Sequence, residues 1–592
     1  MGLTFSNART GTKRVDMGLL LSNALTGIRR VEMTAIVWVL VAIGLLILIV
    51  MPSVYLVKEA FFVPDEVGLL EVRGHYGIGN FIAAYTNKLY LRPILWTVVI
   101  AGSVGVISVV VGSLMAWAVA RTDMPLPGMI RTGSLLSFVT PPFLGASAWV
   151  ILAGPREGWL NLVFRWITGA GLDAHLFDIF TISGLIFTMC LYVIPLVFIV
   201  ALAGLNNISS DLEDASNIAG AGTLATMVGV TLPLVLPALF AGLILASLEA
   251  MILFSTPAML AIPAGEHVMT TQIRAFMQSD DYQVGLAAAF ALPMLIAAIG
   301  LIWMRRKALG RRGYATIGGK GARRRPQKLG PYRWVVFGLC MFPLLCALLL
   351  PAFALAMTSL MKTYAGGFAL SNLTLDHYRF IFTNDAVGLS ISNTLLLGVM
   401  AATVGTILAG LIAYISQRRL VRGHQLISFL ATVPIAIPGI VLAIGLFAAY
   451  TRAPIVLYGT LWILFIAYLT KYLPIAFQTS NAALMSIHPE LEEGARILGA
   501  NRLAVFAGIT VPLFRAGLIA SWILIFMPSI RELSSSVLLW TTHTKVISVV
   551  ILDFYEEGRL DIVSALGVLL MVITLFVVML AYRIVGRDFM RG

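Results

Sequence analysis

The sequence predicts an all-α, polytopic membrane protein whose twelve transmembrane helices form two parallel repeats of six. Three observations carry that expectation. The composition is too apolar for a water-facing surface, twelve apolar runs are long enough to span a bilayer, and one acid–glycine–proline spacing occurs twice, 279 residues apart (493 − 214).

Of the 592 residues, 59% are hydrophobic and 12% charged, whereas a soluble domain carries about 25% charged residues. Runs of about 20 apolar residues cross the hydrocarbon core as helices. They fall at 33–57, 94–120, 133–154, 179–204, 237–260, 284–304, 334–360, 388–416, 426–450, 459–480, 516–540 and 563–584. Backbone groups in lipid must be satisfied within the segment, which selects helices, and the alternation of an outer-membrane barrel is absent.

The formal net charge is +13, and its placement orients the chain. Segment 305–333 carries eleven Lys/Arg and no acid, segment 417–425 carries three Arg and no acid, and 58–93 is balanced. The positive-inside bias puts both termini and the 305–333 linker in the cytoplasm. A linker between membrane helices accounts for this basic run better than nucleic-acid binding does. The stretch GYATIGGK imitates a phosphate loop, but Tyr314 stands where the first glycine belongs and no strand–helix pattern frames it. No ATP site is expected in this chain.

Cys190, Cys340 and Cys346 all lie in predicted spans and read as small apolar residues, without disulfide or metal spacing. The 32 N-terminal residues are not read as a cleavable signal, because the run after them is long enough to span. They contain an echo, SNARTGTKRVDM then SNALTGIRRVEM, for which there is no physical account.

The repeat organises the rest. Asp214 and Glu493, Gly220 and Gly499, Pro233 and Pro512, and Pro195 and Pro474 are each 279 residues apart, while Thr97 and Arg121 find counterparts 297 on, at Thr394 and Arg418. The offset differs because 155–178 is longer than its counterpart near 451–457. Six spans per half keep both halves in one orientation, a parallel repeat. The expected organisation is a cytoplasmic extension at 1–32, a first half at 33–304, the basic linker at 305–333 and a second half at 334–592.

The doubled spacing lies after the fourth span of each half. PELEEGARILGA reads as a helix start, with Pro489 in the first turn and Glu490, Glu492 and Glu493 at the positive end of the dipole. Gly499 then permits a sharp turn, and a short helix runs to Pro512, where the next span is expected to begin.

These residues resemble the membrane permeases of binding-protein-dependent ABC importers, whose hallmark is E-A-A-x-x-x-G-x₉-I-x-L-P. The second half matches as Glu493, Gly494, Ala495, Gly499, Ile509, Val511 and Pro512, and the first as Asp214, Ala215, Ser216, Gly220, Val230, Leu232 and Pro233. The resemblance spans about 33–592. It implies a type I importer permease in the bacterial cytoplasmic (inner) membrane, with both termini cytoplasmic. Each motif would be a coupling helix docked on one of two copies of a separate ATPase subunit. An extracytoplasmic binding protein would deliver the solute, and ATP and Mg would be held by the partner ATPase, with no cofactor on this chain. Asp214 is one methylene shorter than the usual Glu, Ser216 replaces Ala, and the first half lacks the counterpart of Arg496, which predicts tighter docking of the second half.

Within the predicted spans Glu249, Lys471, Arg531 and Glu532 are charged, besides Arg583 at the very end of the last one. Intramembrane charges are costly and mark pathways unless they are paired. Glu249, Lys471 and Glu532 are therefore candidates for the translocation pathway. The competing account is an ion pair between Lys471 and one glutamate that holds two helices together. Counted from the expected span starts, Glu249 is ~18 Å and Glu532 ~24 Å up their helices. Pro528, four residues before Glu532, frees a carbonyl that protein or a cavity must satisfy.

Fusion of two halves, with FSTPAML and RELSSSVLLW in the penultimate spans, looks like the ferric-iron permeases, and thiamine and aminophosphonate permeases, with polyamine permeases as a further alternative, share much of the layout. An ATPase-independent secondary transporter would not need the doubled cytoplasmic motif. An intramembrane enzyme would need a catalytic set, and there is no Ser/His/Asp constellation or metal-spaced histidine. His488 and His543 fall in loops and read as solvated surface.

Overall fold

The computed structural model describes residues 37–67, 72–208, 210–279, 283–309, 326–364 and 369–585. The 1–32 extension with its echo, the GYATIGGK stretch and most of the basic linker lie outside the described residues. Among the described residues ten helices are long and apolar enough to cross a membrane. Two bent pairs, Pro127–Val139 with Pro142–Ala153 (99°) and His424–Ala436 with Gly439–Tyr450 (112°), make twelve if each counts as one span. The bends fall at Thr140–Pro141–Pro142 and Ile437–Pro438, where proline both removes a helix N–H and pushes the preceding residue out of the α region. A small antiparallel hairpin, Phe62–Val67 with Val72–Tyr76, adds the one sheet among the described residues, which the all-α reading did not foresee.

In the first half the unbent spans are Val37–Phe61, Lys88–Arg121, Ile182–Asn206, Met227–Ile252 and Val284–Lys307. In the second they are Gly330–Ser359, Asp385–Gln417, Leu461–Met485, Phe506–Ser529 and Leu560–Val577. We call the side bearing the inter-half connection the linker face and the opposite side the far face.

The fifth span of each half differs from expectation. It was placed at 237–260 and 516–540 but runs from Met227 to Ile252 and from Phe506 to Ser529. Pro233 and Pro512 do not open these helices. Each sits just after a π-helical turn, Met227–Thr231 or Phe506–Thr510, within a continuous helix. A proline lacks the N–H that residue i−4 needs, and the widened turn absorbs the defect. Beyond Ile252 and Ser529 the chain breaks into a short helix, Ser255–Leu260 or Ser536–Leu539. A second helix follows, Met269–Met277 or Ile547–Glu556, before the last span.

The second span ties this broken segment to the rest of its half. Thr97 Oγ1 accepts from the Met269 N–H at 2.8 Å, and Thr394 Oγ1 accepts from Ile547 N–H at 2.8 Å, so each threonine caps the helix that follows the break. The repeat noted at Thr97 and Thr394 thus has the same structural role in both halves.

The first span of each half packs against the other half: Met51–Phe61 on Gly439–Tyr450, and Leu350–Ser359 on Pro142–Ala153. Prolines direct this exchange. Pro52 and Pro351 leave the carbonyls of Leu48 and Ala347 without helical partners, each in a π-helical turn (Leu46–Val50, Leu345–Leu349). The opposite half supplies the donors. Thr470 Oγ1 reaches Leu48 O (3.1 Å) and Tyr450 OH reaches Ile47 O (2.8 Å). Tyr192 OH reaches Ala347 O (3.2 Å) and Trp149 Nε1 reaches Cys346 O (3.1 Å). In lipid no water could substitute for these donors.

Tyr192→Phe should therefore lower the thermal unfolding midpoint of the detergent-solubilised chain, by the equivalent of about 0.6–2 kcal/mol. In the Tyr192→Phe/Pro351→Ala double variant the helix can satisfy its own carbonyl. Most of the loss should then disappear, as differential scanning fluorimetry can check.

Candidate functional site

Two regions gather the residues singled out in the sequence: the paired loops on the linker face and the seam between the halves.

On the linker face the motif acids belong to two short helices, Ser210–Ile218 and Pro489–Ile497. Pro489 opens the second of them, the expected first-turn proline. Each helix ends on a glycine with positive φ, Gly220 at 89° and Gly499 at 92°. There the Ala221 N–H returns to Ser216 O and the Ala500 N–H to Ala495 O, both at 3.1 Å, a Schellman-type end that requires the left-handed conformation. A Cβ on either glycine would meet open space, so the requirement is backbone conformation rather than room. Ser216, which departs from the expected alanine, shares a hydrogen bond with Thr226 Oγ1 (3.0 Å) across the turn. Ala495 and Val505 stand at the corresponding positions of the second half.

The motif acids themselves turn outward: Asp214 is half-buried and Glu493 exposed. The acid before each is the buried one. Glu213 and Glu492 are 8% and 7% exposed. Glu213 accepts from Arg121 Nε (3.0 Å) and Thr231 Oγ1 (2.7 Å). Glu492 accepts from Arg418 Nε (3.0 Å) and Nη2 (2.9 Å), Thr510 Oγ1 (3.1 Å) and Tyr414 OH (3.3 Å). The arginines also donate to carbonyls ending the fourth span, Arg121 to Leu205 and Ile208 and Arg418 to Ile487. A threonine-backed, charge-assisted pair therefore clamps each short helix to the second, fourth and fifth spans, through one arginine nitrogen in the first half and two in the second. The sequence pairs Arg121 with Arg418 as repeat partners and marks Glu492 as a helix-dipole acid, but does not join arginine to glutamate. The available signal was that both pairs recur together, the arginines 297 and the glutamates 279 apart.

With the acid held below, the short helices present apolar side chains to solvent. Leu212 and Ile218 are 50% and 88% exposed, and Leu491, Ile497 and Leu498 are 52%, 85% and 89% exposed. Gly494 and Ala215 are exposed beside them. Five solvent-facing aliphatic residues on two ten-residue stretches form a surface that water does not favour.

At the seam, Lys471 lies ten residues inside the span Leu461–Met485, about 15 Å from its far end and so near the middle of a ~30 Å core. Its Nζ lies 2.7 Å from both oxygens of Glu532. Glu532 is buried and also accepts from Tyr472 OH and from the Ser535 N–H (2.9 Å). The expected span position of Glu532 is corrected here. It lies three residues past the helix end at Ser529, in the break, where Ser536 and Ser548 hydroxyls bond its carbonyl. Arg531 donates from Nη1 to Phe138 O (3.3 Å), Val139 O (2.5 Å) and Thr140 O (3.2 Å), the carbonyls at the bend of the first half's third span.

Glu249 differs from these. It stands near the far end of Met227–Ile252, exposed, and among the described residues its carboxylate makes no hydrogen bond or ion pair. The charges that act on its carboxylate are Lys471, Arg531 and Glu532 of the other half. The structure thus joins Lys471 to Glu532 and leaves Glu249 as the open carboxylate. Applying the repeat, Tyr192 and Leu253 occupy the positions of Lys471 and Glu532 (471 − 279 and 532 − 279), so this ion pair belongs to the second half alone. His488 and His543 are exposed, and the three cysteines are buried and unpaired with one another.

Removing one partner of a buried pair strands the other charge, at a cost of about 3–5 kcal/mol. Arg418→Met should accordingly loosen the 489–510 segment and raise its rate of proteolytic cleavage. Arg418→Met with Glu492→Gln should recover much of the protection, and limited proteolysis of both variants distinguishes the outcomes.

Comparison with known proteins bears on both regions. The family described as "binding-protein-dependent transport system inner membrane component" matches at residues 94–309 and again at 405–591. The chain is 25% identical over 571 residues to the ferric transport system permease protein FbpB of Actinobacillus pleuropneumoniae, covering 93% of this chain and 78% of that one. It is 26% identical over 248 residues to the spermidine/putrescine transport system permease protein PotC of Haemophilus influenzae, which spans 42% of this chain and 95% of that one. A putative 2-aminoethylphosphonate transport system permease protein, PhnV of Salmonella paratyphi A, is also 26% identical over 239 residues, 40% of this chain and 89% of that protein. With two matches that together cover more than half of its length, each enclosing one motif loop and its buried Arg or Glu, the chain belongs to the family of binding-protein-dependent transport system inner membrane components and carries the family unit twice.

Proposed function

We propose that this chain is the permease subunit of an ATP-driven importer that moves ferric iron delivered by an extracytoplasmic binding protein. The observation that carries the reading is the pair of clamped short helices, each with an exposed aliphatic crest. They are matched surfaces for two copies of one ATPase subunit, with ATP and Mg held there and no cofactor on this chain. The linker face is then cytoplasmic, in accord with the eleven basic residues of 305–333, and both termini lie on that side. Closure of the ATPase pair would rock the two halves as rigid bodies about the seam.

Iron is favoured by the near full-length likeness to a ferric permease. The seam itself is formally neutral, with Lys471 and Arg531 against Glu249 and Glu532. Attraction for a cation therefore comes from Glu249, the one carboxylate there without a tight partner, and not from a net field. A single weak carboxylate suits passage, since a strong site would retain the ion. Polyamine and aminophosphonate substrates are the second reading, supported by the half-length relatives.

Co-purification tests the assembly: one copy of the chain should bind two ATPase copies, and two copies of the chain per ATPase pair would refute the fused arrangement. Gly499→Val forces a β-branched residue to positive φ, a strain of about 1–3 kcal/mol, and should weaken ATPase association and uptake while the chain still inserts. Gly220→Val should act in the same direction. For the pathway, Glu249→Gln should depress ⁵⁵Fe uptake by proteoliposomes strongly while assembly and basal ATP hydrolysis persist. Lys471→Met should instead lower stability, because it strands buried Glu532. Normal iron uptake by an assembled Glu249→Gln complex would remove Glu249 from the path.

A further inference from the structure

The first half carries an insertion between its third and fourth spans, residues 155–178, and its helix Trp159–Thr168 is amphipathic in the inverse sense. Its Asn161 and Arg165 side chains point inward. Asn161 is fully buried and clasps the chain with four bonds: its amide donates to Gly154 O (2.8 Å) and Phe177 O (2.7 Å), and its Oδ1 accepts from the N–H groups of Leu176 (2.8 Å) and Phe177 (2.9 Å). Arg165 is buried too and donates to Leu172 O (2.8 Å), Ala174 O (3.2 Å), Pro155 O (3.4 Å) and Arg156 O. Several large apolar side chains point outward. Trp166 is 85% exposed and Ile167 70%, with Leu162, Val163, Leu172 and Phe177 exposed beside them.

A helix facing water would reverse this arrangement. Its depth argues for the same medium. The helix lies between the far-face end of one span at Ala153 and the start of the next at Ile182. Trp159 packs edge-on against Phe353, with ring centroids 6.1 Å apart. Phe353 continues the outward apolar row Leu339, Phe342, Leu349 of the span Gly330–Ser359 and sits six residues, about 9 Å, inside that span's end. The exposed face of the helix is therefore continuous with the lipid-facing surface and lies at the depth of the headgroup–acyl boundary, where tryptophan is favoured.

We propose that Trp159–Thr168 is an interfacial anchor that lies in the far-face leaflet and holds the outer end of the first half's bent span at a set depth, with lipid as its partner. The shorter 451–457 connection leaves the second half without a counterpart. The insertion would thus fix one half against the bilayer while the other moves.

The test uses full-length chain in phosphatidylethanolamine/phosphatidylglycerol nanodiscs, with the three buried cysteines replaced by alanine and a spin label at Trp166→Cys or, separately, at Val163→Cys. Collision with oxygen should exceed collision with a water-soluble nickel chelate several-fold at both sites. A label at Asp173→Cys, on the exposed loop, should show the reverse. Nickel accessibility at Trp166→Cys and Val163→Cys equal to that at Asp173→Cys would overturn the proposal. So would a site that becomes shielded only when loaded binding protein is added, since the occupant would then be protein. The variant Trp166→Asp/Ile167→Asp, whose parent side chains are exposed, should fold with unchanged stability in detergent yet make Val163→Cys nickel-accessible in nanodiscs. Continued oxygen preference at Val163→Cys in that variant would also count against anchoring by this face.

Discussion

Everything that connects the linker face to the middle of the membrane depends on two buried arginine–glutamate pairs. Arg121–Glu213 and Arg418–Glu492 sit at one end of the second span of each half, and Thr97 or Thr394 caps the broken segment 24 residues away (121 − 97; 418 − 394). A helix of that length is about 36 Å long. It behaves as a strut: whatever displaces the short helix on the linker face displaces the capped helix start above it. Because the pairs are buried and backed by threonine, they have a defined geometry that an exposed pair would lack. The proline of the repeated motif belongs to the same device. It follows a π-turn that forms the start of the fifth span, at the level where Thr231 or Thr510 must reach the glutamate.

The same strut serves two unequal halves. At the break after the fifth span, Ser548 in the second half and Thr270 in the first donate to equivalent carbonyls, Glu532 and Leu253. The scaffold is shared, but the side chains on it are not. The second half fills its break with Lys471, Tyr472, Glu532 and three serines, all bonded. The first half has Tyr192 and Leu253 there and directs Tyr192 to the opposite half instead. Pro528 stands at the repeat position of Glu249 (249 + 279). The charges of the seam are thus distributed so that one carboxylate is left without a tight partner, under the influence of three charged residues of the other half.

Accounting for backbone polar groups explains features that hydrophobicity alone does not. Each proline in a span frees a carbonyl that lipid cannot satisfy, and here the freed groups become the attachment points between halves, with donors from Thr470 and Tyr192. The carbonyls at the bend of the first half's third span are met by Arg531 from the second. In the 155–178 insertion Asn161 and Arg165 do the same locally. Polar side chains are drawn inward by orphaned backbone, and the apolar ones are left to face outward.

How much was legible follows from which forces act along the chain and which act across it. The sequence by itself determined the membrane class, the twelve apolar runs, the two-half organisation and the glycine-ended loops. Hydrophobic length, charge asymmetry and positive φ are local properties that repeat visibly when a unit is doubled. It misplaced the fifth spans because proline is an ambiguous signal, opening a helix at one site and bulging it at another, and packing chooses between them. It named Glu249, Lys471 and Glu532 as one group because it could see charge but not distance. Only the tertiary structure decided that Lys471 neutralises Glu532, that Glu213 and Glu492 rather than their motif neighbours are the buried acids, and that the first spans cross to the opposite half. Those choices rest on which donor lies within hydrogen-bonding distance of which acceptor, and residues 61–422 positions apart are brought to that distance only by the folded chain.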